Sequence, residues 1–311
     1  MENRKLIIID SNSIIHRAFH ALPPLSSKKH GVVNAVYGFL LVFLKAIKEF
    51  EPDYIVATFD LPAPTFRHEK YKEYKANRPK APDELYAQIP LIKDILKVFN
   101  VSVFEKQGFE ADDVIGTIAR IVFEKQDIPK IETIILSGDK DNFQLVNDST
   151  KIFFLRKGVK DTALFGTEDV KEKHRGLVPE EIVDYKALRG DPSDNIPGVA
   201  GIGEKTAIDL ILKFGSLKKI YEAIESKNDK IKDVKPRILD LLVQYKDQAF
   251  LSKELSQIEV NVPIDFNLED CKRKDYDTEK AKNLLEDFEF NSLVPRLPKT
   301  KIDNSKQGEL L

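Results

Sequence analysis

Carboxylates recur where this chain changes direction. Asp10 ends the apolar run KLIIID, Asp60 ends YIVATFD, and Asp139 and Asp141 lie in SGDKD directly behind ETIIL. The stretch GFEADDVIGTIARIV sets Glu110, Asp112 and Asp113 ahead of an apolar segment, and the turn-rich GDPSDNIPG adds Asp191 and Asp194. Acids are favoured in the first turn of a helix, where they cap free N–H groups and meet the positive end of the dipole. Capping needs one acid or two. A third adds repulsion, about 3 kcal/mol for two like charges some 5 Å apart at an effective dielectric near 20. GFEADD alone therefore leaves capping and metal binding both open. A single strand-end Asp is weak evidence too, because Asp often simply starts a turn. Three such ends beside an acidic helix start exceed what turn chemistry requires. So many carboxylates share a site only around cations, and an oxygen donor set without His or Cys suits Mg²⁺ or Mn²⁺. Two such ions about 4 Å apart form a clamp for phosphodiester hydrolysis, one activating water and the other steadying the leaving oxygen. No serine or cysteine triad is apparent as a competing nucleophile.

The elements that must position these acids are legible as alternation. KLIIID (5–10), YIVATFD (54–60), VSVFE (101–105), ETIILSGD (132–139) and KIFFL (151–155) read as buried strands, with helical patterns near 34–50, 83–98 and 111–125 between them. This predicts an α/β fold: a mostly parallel sheet flanked by helices, with ligands at the carboxyl edge of the strands. Beyond about residue 176 the strand signals thin out, and helices are expected near 179–189, 204–214, 216–226, 236–256 and 278–288. The predicted division is a metal-dependent core over 1–175, a helical subdomain over 176–295 and a disordered polar tail over 296–311.

Two further segments carry nucleic-acid chemistry. FRHEKYKEYKANRPK (66–80) holds Arg67, Lys70, Lys72, Lys75, Arg78 and Lys80, with Tyr71 and Tyr74 interleaved. Lys72, Lys75 and Arg78 recur every three residues, roughly one helical face. Basic side chains hold phosphates, and aromatic rings stack unpaired bases. The alternative is a solvated basic helix, but the segment follows directly on Asp60. IPGVAGIGEKTAIDLILKFGS (196–216) sets Gly198, Gly201 and Gly203 in a tight hairpin ahead of a helix, with Lys205 and Thr206 in its first turn. Glycine-bared amides at a helix start bind a phosphate without reading its base, as in a helix-hairpin-helix element.

Composition narrows the classes. The 311 residues are 42% hydrophobic and 32% charged, with a net charge of −2, so polyanion binding must come from local patches. No run of 18 apolar residues exists to span a membrane. A single cysteine and five histidines exclude a disulfide framework and a zinc cluster and suit a reducing cytoplasm. His16 and His20 stand four residues apart without an HExxH glutamate and read as helix-face residues. A haloacid-dehalogenase-type phosphatase would need an acid where Asn12 stands. A P-loop would need GxxxxGK[ST], which GVAGIGEKT does not supply.

These motifs together resemble the bacterial 5′–3′ exonuclease, flap-endonuclease-like family, which includes the N-terminal 5′ nuclease domain of DNA polymerase I and free-standing relatives. The resemblance runs from about residue 4 to about 295 and is carried by IIIDSNSIIHRAFHALPPL, ATFDLPAPTFRHEKYKEYKANRPKAP, GFEADDVIGTIA, ILSGDKDNFQLV and GDPSDNIPGVAGIGEKTA. It implies that Asp10, Asp60, Glu110 and Asp112 surround a first ion and Asp139, Asp141, Asp191 and Asp194 a second, with Asp113 near both. It implies that residues 66–82 form a helical arch for a 5′ single strand, with Lys75 and Arg78 engaging the scissile phosphate. It implies that the helix-hairpin-helix grips duplex DNA, with a K⁺ on its carbonyls. Ser11 replaces a usual glycine and His16 a frequent tyrosine; neither is a ligand.

The expected function is a monomeric Mg²⁺-dependent 5′ nuclease acting on DNA 5′ ends, nicks and flaps, for primer removal (RNA primers included) and repair. Two other classes remain as rivals: a catalytically silent branched-DNA-binding module, and a PIN-type ribonuclease. The C-terminal SKQGELL resembles a sliding-clamp docking peptide, with Gln307 and the apolar anchors Leu310 and Leu311 behind a polar linker.

Overall fold

Alternation along the first strand sets the architecture. In the computed structural model, which describes residues 4–125 and 131–299, the chain runs β1 (Arg4–Asp10), α1 (Ser11–Ala21), the two-residue strands β2 (Ser26–Ser27) and β3 (Gly31–Val32), α2 (Asn34–Phe50), β4 (Tyr54–Thr58), α3 (Phe66–Lys70), α4 (Asp83–Tyr86), α5 (Gln88–Val98), β5 (Ser102–Phe104), α6 (Ala111–Glu124), β6 (Ile131–Ser137), β7 (Thr150–Lys157), β8 (Asp161–Phe165) and α7 (Thr167–Lys173). It continues through α8 (Ile182–Arg189), α9 (Glu204–Phe214), α10 (Leu217–Glu225), α11 (Pro236–Gln244), α12 (Lys246–Ser256) and α13 (Thr278–Asp287). Ile7 and Ile9 of β1 face α1, α2 and α5, whereas Leu6 and Ile8 face α6. Both faces are covered, so the strand is an unbroken apolar run.

The sheet order is β5-β4-β1-β6-β7-β8, parallel except for the β7/β8 pair. From β1 the chain winds outward through β4 and β5, then returns to the other side of β1 for β6 and β7. The order thus reverses between β1 and β6, and the carboxyl edge there opens a crevice suited to a ligand. The antiparallel β8 has no counterpart in the expected strands. DTALF is an edge strand with no fully buried residue, so it lacks the apolar run that marks its neighbours.

A third apolar cluster is built from α8 to α12, around Leu188, Ile211, Leu217 and Leu242. The chain then leaves it. Val262, Leu268 and Cys271 pack on the α6 side of the sheet, and Ala281, Leu285, Phe288 and Phe290 pack on the α2 and α5 side. The helix expected near 278–288 forms, but it belongs to the sheet's cover. The apolar face of α13 completes a core that α2 and α5 leave open.

The segment 66–82 departs from the expected helical arch. Helix persists only over Phe66–Lys70, and turns follow through residue 77. Lys75 takes a left-handed φ of 55°, and its amide donates to the Asp194 carbonyl at 2.9 Å. Long-range tethering overrides the three-residue periodicity of the lysines.

The hairpin ahead of α9 depends on two crossing glycines. Gly198 has φ of 63°, and a Cβ there would lie 2.2 Å from the Gly190 nitrogen. Its amide donates to Ser252 Oγ at 3.0 Å, and its carbonyl accepts from Gln248 Nε2 at 2.6 Å. Gly198 is therefore committed to folding, which corrects its expected role as a free phosphate-binding amide. Gly203 caps α9 at φ −90°, with open space around its Cα. Gly198→Ala is expected to cost about 3 kcal/mol or more, from strain and overpacking together, and Gly203→Ala less than about 1 kcal/mol. Urea midpoints at constant m-value measure both, and equal losses would contradict the crossing.

Candidate active site

Asp10 continues the even-numbered series of β1 that faces α6, so its carboxylate leaves the strand toward the start of that helix. It is 3% exposed and accepts from the Ser13 amide at 3.1 Å, capping α1, and from Ser137 Oγ at 2.6 Å. Ser137 ends the neighbouring β6. The next turn brings in Asp139, whose amide donates to Ser137 Oγ at 2.8 Å and whose carboxylate accepts from the Asp141 amide at 2.9 Å. Asp60 follows β4 and accepts from the Ala111 amide at 2.7 Å, tying its strand end to the first turn of α6. Asn12 Oδ1 accepts from the Asp60 amide at 3.1 Å. Asp10, Asp60, Glu110, Asp112 and Asp139 line one cavity of about 280 Å³ together with Lys75 and Arg78.

The charges in this cavity are unevenly balanced. Burial, then the charge of Asp139, pushes the Asp10 carboxyl up to about 6. Burial, then Asp10 and Asp139, holds Asp112 well above the usual carboxylate range. Asp60 opens to solvent on one side, yet the crevice walls desolvate it and Glu110 repels it, so it too is raised. Glu110 goes the other way. Burial opposes its ionisation, but Lys75 at 2.7 Å and Arg67 bring it below the usual value. Four acids thus crowd together with no ion pair among the described residues, while the fifth is neutralised.

Beyond Asp139 the acids are paired with cations. Lys186 of α8 bridges Asp141 and Asp191, the latter at 2.7 Å. Burial raises Asp141 to about 6 against the pull of Lys186, whereas Lys186 and Ser193 outweigh burial at Asp191 and lower it to about 2. Arg78 pairs with Asp194, and Tyr74 Oη lies 3.1 Å from Glu110 Oε2 and 3.2 Å from Asp194 Oδ2. Among the described residues no three carboxylate, imidazole or thiol groups stand in a geometry that already clasps an ion. The donor set nevertheless fits hard divalent cations. It is all oxygen, partly desolvated and carries a clear excess of negative charge.

Three expected site residues have other duties. Asp113 is 0% exposed and forms a two-pronged ion pair with Arg67, at 2.7 and 2.8 Å. It also accepts from the Glu110 amide at 3.0 Å and the Glu259 amide at 2.8 Å. All its acceptor capacity is used, so it is the structural acid of GFEADD and stands apart from the acids that line the cavity. Arg67 is 3% exposed and also donates to the carbonyls of Leu255 and Gln257, which removes it from phosphate binding. Tyr74, 3% exposed, packs with Ile196 and Leu255 and presents no face to a base. Lys72 is exposed, Lys70 pairs with Glu254 at the surface, and Tyr71 is half-buried. Lys205 and Gly201 are exposed and Thr206 half-buried.

Several contributors escape sequence reasoning. Asn142, fully buried, donates to Asp112 Oδ1 at 2.9 Å and to Ser137 Oγ at 3.2 Å, and its Oδ1 has no partner. A second cavity, about 910 Å³, adjoins the acidic one and shares Ser13, His16, Arg78 and Asp139 with it. Arg17, Lys140, Lys173, Lys186 and Arg189 line it. Only Lys186 and Arg189 share an element, α8, and the others come from separate parts of the chain, so no linear basic run announces the groove.

Comparison with known proteins gives this geometry a setting. The family described as 5′-3′ exonuclease, N-terminal resolvase-like domain, matches residues 5–175, and its companion, 5′-3′ exonuclease, C-terminal SAM fold, matches residues 177–279. The chain is 42% identical over 296 residues to DNA polymerase I of Bacillus subtilis, covering 95% of this chain and 32% of that protein. It is 41% identical over 297 residues to DNA polymerase I of Caldicellulosiruptor bescii, covering 94% and 33%. It thus spans about a third of the length of these relatives. Among solved structures, T5 5′-exonuclease with bound divalent metal ions (zinc) superposes with a TM-score of 0.65 at 21% identity, over 94% of this chain and 96% of that one. The catalytic core of Rad2 in complex with DNA substrate gives 0.61 at 17% identity, over 95% and 93%. At these identities the two structures speak for the fold alone.

Proposed function

The chain belongs to the 5′-3′ exonuclease family, and on that premise we propose that it hydrolyses DNA phosphodiesters near 5′ ends and at 5′ flaps, with Mg²⁺ or Mn²⁺ as cofactor. The observation that carries this reading is the convergence of Asp10, Asp60, Asp112 and Asp139, none with a cationic partner among the described residues, on one cavity beside Lys75 and Arg78. Asp10, Asp60, Glu110 and Asp112 would hold one ion, and Asp139, Asp141, Asp191 and Asp194 a second. Bound there, divalent ions supply an activated water and neutralise the phosphate oxygens.

The remaining duties fall to the chain itself. Ser137 and Asn142 fix the Asp10 and Asp112 carboxylates by hydrogen bonds. Lys75 and Arg78 stand at the crevice with anionic partners that an incoming phosphate replaces, so they orient the scissile group and meet its developing charge. The groove carrying Arg17, Lys140 and Arg189 takes the sugar-phosphate backbone on its way to the crevice. Lys205 and the exposed start of α9 grip duplex DNA at a distance from the chemistry, a segment where K⁺ on the hairpin carbonyls would fit the same reading. We assign 1–175 to the nuclease core and the helices over 177–256 to duplex binding, with 262–293 serving as cover for the core. A monomer acting in primer removal and repair accords with this assignment. Docking to a sliding clamp through Gln307, Leu310 and Leu311 is a further part of the proposal that lies outside the described residues.

A 5′-labelled flap incubated with and without Mg²⁺ tests the function. Short labelled products that require the metal are expected. Tight flap binding without cleavage in either Mg²⁺ or Mn²⁺ would turn the assignment to a binding module, and preferential cutting of single-stranded RNA to a ribonuclease. Lys75→Ala is expected to lower the single-turnover rate about 100-fold with little loss of duplex affinity. Lys205→Ala should weaken binding and lower the salt slope by about one, with the rate at saturation unchanged. One shared kinetic profile for both variants would contradict the division.

A further inference from the structure

The two halves of the acidic crevice are balanced differently. Among the described residues, Asp10, Asp60 and Asp112 of the first set form no ion pair and Glu110 pairs with Lys75 and Arg67; in the second set Asp139 is unpaired, Asp194 pairs with Arg78, and Asp141 and Asp191 share a single ammonium. Its owner, Lys186, sits near the end of α8 with a side chain only 10% exposed and reaches Asp191 Oδ2 at 2.7 Å as well as Asp141 Oδ1. The same side chain lines the larger cavity, where Arg17, Lys140 and Arg189 stand alongside Asp139 and Glu204, so its flexible stem has open space beside it.

We propose that Lys186 is a resident cation of the Asp141/Asp191 half, so that a divalent ion enters this half only by displacing it, and the two halves bind ions with unequal affinity. The inference rests on the reading of these acids as ion ligands. An ammonium between two carboxylates already supplies the charge neutralisation that a metal would bring. An incoming divalent ion must break two charge-assisted contacts and then tolerate a nearby like charge. A DNA phosphate in the groove offers the displaced ammonium a new partner. By linkage, DNA therefore tightens ion binding in this half, and the ion tightens DNA.

Mn²⁺ titration of the metal-free 311-residue chain, without DNA, tests this by calorimetry and by the electron paramagnetic resonance of free Mn²⁺. The wild type is expected to bind one ion tightly and a second at least tenfold more weakly. Lys186→Met should tighten the second site at least tenfold, about 1.4 kcal/mol, and move the first by less than about threefold. Lys186→Arg, which keeps the charge, should retain the weak second site. Should the Met variant melt before the titration temperature, Lys186→Gln carries the same expectation. Two equal sites in the wild type, or an isotherm unchanged in the Met or Gln variant, would overturn the proposal while leaving the ligand reading intact. No Mn²⁺ binding by any of the proteins would overturn that reading and the proposal with it.

Discussion

Asp112→Asn is expected to lower cleavage of a 5′-flap substrate at least about 100-fold while raising the melting temperature of the metal-free protein by roughly 2–4 °C. The two effects have one cause. Asp112 is buried near Asp10 and Asp139, and burial first, then repulsion from these two acids, lifts its pKa well above the ordinary range. That repulsion is a cost in the absence of cations and an attraction in their presence. The amide removes the charge but keeps an acceptor toward Asn142, whose donated bond at 2.9 Å survives. Partners one shell out from a metal typically contribute 10- to 100-fold, so a direct ligand should contribute more. Flap binding in Ca²⁺ should persist, because the proposed phosphate grip rests on Arg78, the groove cations and Lys205 and not on Asp112. A variant that cuts at a near wild-type rate in Mg²⁺, or one that melts earlier without metal, would remove Asp112 from the ligand set.

The opposition between stability and chemistry explains which features a sequence reader can find. Strand-end acids are visible because an aspartate breaks an apolar run such as Leu6 to Ile9, although Asp10 also caps α1. The sheet is visible for the same reason: its central strands are apolar on both faces and cannot be mistaken for surface. The edge strand β8, half-exposed throughout, carries no such mark. Side chains whose role depends on a distant partner are harder still. Lys72, Lys75 and Arg78 are spaced like one helical face, yet the Lys75 ammonium meets Glu110 and its amide meets the Asp194 carbonyl. Such contacts override local preference, and nothing within the segment announces them. Lys186 reads as an ordinary surface lysine until α8 is placed beside Asp141. Asn142 and Ser137 are single polar residues at the edge of apolar segments, and only the folded chain shows that they hold Asp10 and Asp112.

The acidic helix start shows the limit most sharply, since three acids in four residues divide their labour. Glu110 is paired with Lys75, Asp112 faces the unpaired acids, and Asp113 turns inward to Arg67. Helical geometry explains the last step. Adjacent residues on a helix point about 100° apart, so Asp112 and Asp113 cannot serve the same face. Which of them faces the crevice is decided by packing.

Arg67→Met should therefore be a stability variant, costing about 3–5 kcal/mol. It strips a buried carboxylate of its one ion-pair partner among the described residues and removes the guanidinium donor from the Leu255 and Gln257 carbonyls. Asp113→Asn should cost somewhat less, because the arginine retains those two carbonyls and lies 3.5 Å from Glu110. The double variant removes both charges together and should be more stable than the sum of single losses predicts, with a coupling of at least about 2 kcal/mol. Urea unfolding at constant m-value gives all four free energies. The same variants separate this role from the one their position in a basic segment suggests. A phosphate contact at Arg67 would leave stability nearly unchanged and lower the salt slope of DNA binding by about 0.9. An anchor does the reverse: the folded fraction falls, and the surviving protein binds DNA with an unaltered slope. Additive single losses together with a reduced slope would return Arg67 to the DNA interface and leave Asp113 free to join the crevice.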